Sequence, residues 1–233
     1  MELLPDSLMG SALSTDKPAS SHKRQGLDLE SWAKALRLSA RTITICVIGF
    51  FLAWLIFWKF APWLNNDGAT SLYNATNNNL ALLTVYGIAT LGDIIWIPLV
   101  FYLYVFRRDT QDWTSSLVLA VAMVAAMVFT DILKAAFNLP RPFTVIPGIT
   151  ARYQTPTSPG LPSGHTTNAF TVATVMWARY PEWRIPFTLL GVATGVSMVI
   201  LGLHYPSDVI AGSFLGFFSG TFVLKLAKLR SNT

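Results

Sequence analysis

Six stretches of the chain, 42–60, 86–106, 115–135, 163–180, 185–203 and 207–226, are apolar over nearly the length a helix needs to cross a bilayer, ~20 residues for ~30 Å of hydrocarbon. They are continuously apolar rather than alternating, which favours helices over the strands of a closed barrel, the other fold that satisfies every backbone polar group in lipid. Composition agrees: of 233 residues 52% are hydrophobic and 12% charged, about half the ~25% charge of a soluble domain. So much apolar surface excludes a disordered body. The lone cysteine, Cys46, excludes a disulfide scaffold. The expected fold is all-α, a six-span transmembrane helical bundle with both termini cytoplasmic.

The chain divides into a polar tail, 1–41, a first span with an outer loop, 42–79, and a core, 80–233. Trp32, Leu36 and the stems of Lys34 and Arg37 suit a short helix at the membrane surface over 29–41. The first apolar run starts too late and runs too long for a cleaved signal peptide, so it reads as a retained anchor. An Asn-rich outer loop, 65–79, follows, then an interfacial or re-entrant stretch at 80–91 interrupted by Thr and Gly. Gly191 with Gly195, and Gly212, Gly216 and Gly220, lie one turn apart and read as helix packing rather than chemistry.

Orientation follows from the positive charges. With the N-terminus inside, thirteen of the seventeen Lys and Arg fall on the inner face, leaving Lys59, Lys134, Arg141 and Arg152 outside. Most of the net charge of +5 is therefore a topology signal and implies no nucleic-acid partner. Lys59 reads as a snorkelling anchor at the end of the first span. The same parity brings Lys134, Arg141, His165, His204 and Asp208 to one side of the membrane at similar depth.

Each of these residues has an ordinary structural reading. Lys134 could pair with Asp131 one turn earlier, Arg141 sits between two prolines on a stiff loop, and Pro162-Ser163-Gly164-His165 could be only a helix start. Asp208 is the expected acid of a first helical turn, and His204 could be an interfacial histidine. Taken together they suit phosphate chemistry. Lys134 offers a point charge and Arg141 a fork for two oxygens. The helix opened by Ser163 and Gly164 presents backbone N–H groups to an anion. His204 backed by Asp208 has the means to be a nucleophile, and His165 to protonate a leaving oxygen. No metal or other cofactor is expected.

In order and spacing, Lys134 with Arg141-Pro142, Pro162-Ser163-Gly164-His165, and Ser197 followed by His204 and Asp208 resemble the three motifs of the type 2 phosphatidic acid phosphatase superfamily, related to vanadium haloperoxidases. The resemblance covers roughly residues 80–225, and three ordered motifs are far more specific than one. It implies a phosphatase core at 80–233 acting on a lipid phosphate or diphosphate at the outer leaflet, with an integral inner (cytoplasmic) membrane location. Undecaprenyl diphosphate, phosphatidylglycerophosphate and phosphatidic acid are the candidate substrates, and the implied partners are that substrate and membrane lipids. It also implies that Lys134 and Arg141 bind phosphate, Ser163 and Gly164 cradle it, His165 is the general acid, His204 the nucleophile and Asp208 its partner. One position departs: the third motif carries an Arg after its Ser, and here that residue is Met198, expected about 9 Å below His204 along a helix. Either Arg152 supplies the missing charge, or the chain is a weak or silent lipid-phosphate-binding protein.

Overall fold

The computed structural model describes residues 40–106, 113–152 and 154–231, and among these every regular element is helical. Helix α1, Ala40–Trp54, runs on into a π-helical turn, Leu55–Phe60. It is followed by α2, Pro62–Asn74; α3, Asn79–Ile94; α4, Trp96–Phe106; α5, Trp113–Phe137; α6, Gly164–Arg179; α7, Arg184–Ile200; and α8, Pro206–Ser231. The surface helix expected at 29–41 lies, apart from residues 40 and 41, outside the described residues.

Four stretches are long and apolar enough to cross a membrane, Ile43–Phe60, Thr114–Val145, Pro181–Ile200 and Pro206–Ala227; the bent pair α3–α4 is a fifth if taken as one span. The remaining apolar run forms α6, whose 16 residues rise about 24 Å, less than the ~30 Å of a hydrocarbon core. Length and composition thus give four or five crossings where six were expected. The stretch expected to be interfacial or re-entrant, 80–91, lies within the continuous helix α3, and the bent pair it begins is either a broken span or a re-entrant loop. Asn78 caps α3, its side-chain oxygen accepting from the Leu80 N–H at 2.8 Å. The chain then bends by 46° into α4. Pro98 explains the bend, since it has no N–H for the Ile94 carbonyl and its ring crowds that turn.

The Asn-rich segment is a loop only at 75–78; up to Asn74 it belongs to α2, opened by Pro62 at its first turn. Its Ala69 and Tyr73 pack with Ile149, Val199 and Tyr205. Asn65 is buried, and its side-chain oxygen accepts from the Ser207 N–H at 3.1 Å, capping α8 from far away in sequence.

Helix α6 is the centre of the bundle, packed most extensively on α8 and also on α7, α5 and α3. Every residue from 166 to 176 is buried. Its hydroxyls are satisfied within the helix: Thr167, Thr171 and Thr174 donate to the carbonyls of Ser163, Thr167 and Phe170 at 2.8–2.9 Å. Polar residues can therefore fill a helix enclosed by protein. The glycines of α8 are what let it approach, as the sequence led us to expect. A Cβ on Gly216 would sit 2.6 Å from the Thr167 carbonyl oxygen and 2.9 Å from the Thr171 nitrogen, which are backbone atoms that cannot swing aside.

Gly216→Ala should therefore lower the thermal unfolding midpoint in detergent, through overpacking that costs about 1–3 kcal/mol. Gly87→Ala, where a Cβ meets nothing within 4 Å, should leave the midpoint unchanged or raise it.

Candidate active site

A cavity of about 330 Å³ opens among α5, α6, the segment 141–158 and the turn between α7 and α8. Lys134, Arg141, Gly164, His165 and His204 line it, so five residues scattered over seventy positions of sequence meet in one place. Met198 lines it too. Gln154, Pro156 and Ser158 come from the loop after Arg141, whereas no residue of α2 contributes.

The turn that carries His204 follows from one glycine. Gly202 has φ +75°, a left-handed conformation that only glycine adopts without strain. The Gly202 N–H donates to Val199 O at 2.9 Å and the Leu203 N–H to Met198 O at 3.1 Å, the paired bonds of a Schellman motif that end α7. The expected span to Leu203 therefore stops at Ile200. The chain doubles back, and the His204 N–H reaches Met198 O at 3.3 Å. Met198 is consequently beside His204, not the expected turn and a half below it.

His204 is 2% exposed and Asp208 fully buried. Their tautomer can be assigned from Arg141, which has donors only. Its Nη1 lies 3.0 Å from His204 Nε2, so Nε2 is the acceptor and the ring proton is on Nδ1, 3.2 Å from Asp208 Oδ2. The same carboxylate oxygen accepts from the Tyr205 N–H at 3.0 Å, and Ser207 Oγ donates to Oδ1 at 3.4 Å. Trp58, in the π-helical turn, donates from Nε1 to Ser207 Oγ at 3.0 Å. Burial, and after it the charges of Arg141 and Lys134 and the His165 ring, hold the His204 imidazole well below the ordinary histidine range. It is neutral at neutral pH, with a lone pair on Nε2.

The two cations are buried and satisfied by backbone. Lys134 Nζ donates to Pro159 O at 2.5 Å. Arg141 donates from Nε to Ser158 O at 2.8 Å, from Nη1 to Leu203 O at 2.9 Å and from Nη2 to Ser158 Oγ at 3.2 Å. Ser163 is fully buried, and its hydroxyl oxygen caps α6 by accepting from Thr166 N–H at 3.4 Å and Thr166 Oγ1 at 2.9 Å. Gly164 is the member of that pair at the cavity, where the first N–H groups of α6 have no preceding helical carbonyl.

Arg152 does not join the cavity. Its guanidinium lies 3.6 Å over the Tyr73 ring and donates to Tyr73 O at 2.8 Å, Thr76 O at 2.7 Å and Asn77 Oδ1 at 2.8 Å. It fastens the end of α2 to the loop instead of supplying a charge beside Met198. Two neighbours of His165 went unnoticed in the sequence. Asp93 Oδ2 is 3.6 Å from His165 Nε2, and Asn168 Nδ2 donates to Asp93 Oδ1 at 2.8 Å. A signal existed, because Asp93 is the single charged residue between 80 and 106, and an ionisable group inside an apolar run marks function by default. Among the described residues no three His, Cys, Asp or Glu side chains are grouped where a metal ion could be held.

Known proteins are similar to this chain. An undecaprenyl-diphosphatase of Sulfolobus acidocaldarius is 30% identical over 144 residues, 60% of this chain and 65% of that protein, so the match spans just under two-thirds of its length. The crystal structure of Aquifex aeolicus LpxE superposes with a TM-score of 0.60 at 28% identity, covering 70% of this chain and 95% of that one. A PAP2-type phosphatidylglycerolphosphate phosphatase of Bacillus subtilis superposes with a TM-score of 0.66 at 19% identity, over 82% and 98%, and so has the same fold. Residues 115–231, which hold every cavity residue named above, match the family model described as PAP2 superfamily, and the chain, an integral membrane protein, belongs to that superfamily.

Proposed function

We propose that this protein is a metal-independent lipid phosphate or diphosphate phosphatase that works through a phosphohistidine at the outer leaflet of the cytoplasmic membrane. One observation carries the reading: the buried line Arg141, His204, Asp208, in which a neutral imidazole has its proton fixed on one side and its lone pair turned to a guanidinium on the other. An incoming phosphate draws the Arg141 N–H groups and Lys134 onto its oxygens, which frees Nε2 to attack phosphorus. The P–N bond forms as the P–O bond to the leaving group breaks. His165 gives its proton to the leaving oxygen, and Asp208 stabilises the charge that His204 acquires. Water then attacks phosphorus while His165 takes its proton; the P–N bond breaks, and phosphate leaves. The N–H groups at Gly164 stand where the equatorial oxygens gather, on a helix start that Ser163 fixes.

The membrane reading places both termini in the cytoplasm, with α6 as a short sixth crossing enclosed by its neighbours. The positive-inside count supports it. The substrate headed by a diphosphate is favoured by the likeness to the Sulfolobus undecaprenyl-diphosphatase.

Purified protein in detergent with EDTA should release phosphate from undecaprenyl diphosphate, and His204→Ala should lower the rate at least a thousandfold. Release that persists in the variant, or that requires added metal, excludes the mechanism. The pH profile should be bell-shaped. A histidine whose proton affinity is lowered becomes charged only as pH falls through that lowered value, so the acidic limb should lie below ~6.5.

Met198 separates this reading from a silent lipid-phosphate binder. It is 1% exposed against Ala89, Leu201 and Leu203, and no described cation takes the place an arginine there would have. An active wild-type protein should change less than about tenfold on Met198→Arg. Phosphate release that appears only in the variant would identify the silent binder.

A further inference from the structure

We infer that Asp93 and Asn168 form a positioning pair for His165, a second Asp–His couple whose carboxylate favours the proton on the proposed general acid; the inference rests on the phosphatase reading of the same cavity. The two histidines meet unlike acids. His204 and Asp208 are 2% and 0% exposed, whereas the side chains of His165 and Asp93 are 27% and 32% exposed. Asp93 approaches from α3, one residue before the helix ends at the bend, and is held there by Asn168, three residues after His165 on α6. That spacing puts Asn168 on the face of α6 that carries His165. One residue of a rigid, buried helix thereby fixes the carboxylate that its neighbour needs.

The cations around His165 oppose its protonation, and Asp93 is the carboxylate within ion-pair range to offset them. Arg141 and Lys134 line the same cavity, as does the neutral His204, with the Asp131 carboxylate beyond Lys134 on α5. A cation waiting beside two buried cations would lose its proton unless an anion compensates. At 3.6 Å Asp93 is within ion-pair range of Nε2 though beyond direct hydrogen bonding. With Nε2 turned to the carboxylate, Nδ1 is the nitrogen that passes a proton to the leaving oxygen and takes one from water. The nucleophile has the reverse arrangement: Nδ1 faces its acid and Nε2 does the chemistry.

The test follows the His165 ring directly. In full-length protein carrying ring-labelled histidine, with the signal assigned by His165→Gln, Asp93→Asn should lower the NMR titration midpoint of His165 by about one pH unit. The His204 signal should stay in place, and Asp93→Glu, which restores the charge, should recover most of the shift. The basic limb of phosphate release should move down by the same amount, with the acidic limb unchanged. If the Asn variant does not fold, Asp93→Ser must produce the same shift. A His165 midpoint that stays put in the neutral variants overturns the inference even where the protein is active. Failure of the wild type to release phosphate would instead count against the phosphatase reading, leaving the titration to decide the role of Asp93.

Discussion

The structure is organised around buried charge. Lys134, Arg141, His204 and Asp208 are all less than a tenth exposed, and an isolated ion moved into so dry a place would cost several kcal/mol. Each is matched by a polar group that the fold delivers. Arg141 is bound by carbonyls of Ser158 and Leu203, Lys134 by that of Pro159, and Asp208 by donors from its own turn. The loop 143–161 is therefore a charge-holding element. Its backbone must be irregular, because only carbonyls released from helical pairing can face a cation.

Holding these groups still is a problem of packing, and α6 solves it. Phosphoryl transfer relies on positioning, where errors near 1 Å are expensive. Helix α6 carries Gly164 and His165 at its start and is clasped by α8 through glycines whose backbone contacts leave no slack. The start of α8 is fixed in turn by Asn65, and its Ser207 by Trp58. The π-helical turn and α2 thus reach His204 through the Ser207–Asp208 pair. The π-helical turn aims Trp58 at Ser207, an instance of the functional use such turns often have.

Local chemistry was legible in the sequence and long-range pairing was not. Lys134, Arg141, His165 and His204 announced themselves by residue type and by the parity of the apolar runs, and α8 glycines by their one-turn spacing. The bend at Ile95 was also written there, in Pro98, although hydropathy alone hid it. By contrast, nothing in Asn65 says that it caps a helix 142 residues away, and an Asn-rich stretch reads as loop because propensity omits tertiary partners. Arg152 looked like a spare outer cation since charge and side were all that could be read. Its cation–π contact with Tyr73 depends on how α2 folds back. Met198 was misplaced for a related reason: extrapolating a helix through Gly202 ignores what a left-handed residue does to the chain.

Two Asp–His couples whose histidines line one cavity would be redundant if their surroundings were alike. They differ in depth, and depth assigns the work. A carboxylate sealed from water beside a sealed imidazole fixes a tautomer and, in the proposed reaction, would stabilise the positive charge formed as phosphorus is attacked. A carboxylate one-third exposed beside an equally exposed imidazole acts through screened attraction, enough to bias protonation without trapping the proton. Arg141 sharpens the division, because it touches Nε2 of the buried ring and so favours the neutral form there. The same cation weighs against the proton on His165, and an acid is needed on that side. With Met198 in place of a further arginine, the cavity holds fewer cations for Asp93 to offset on behalf of the proposed acid.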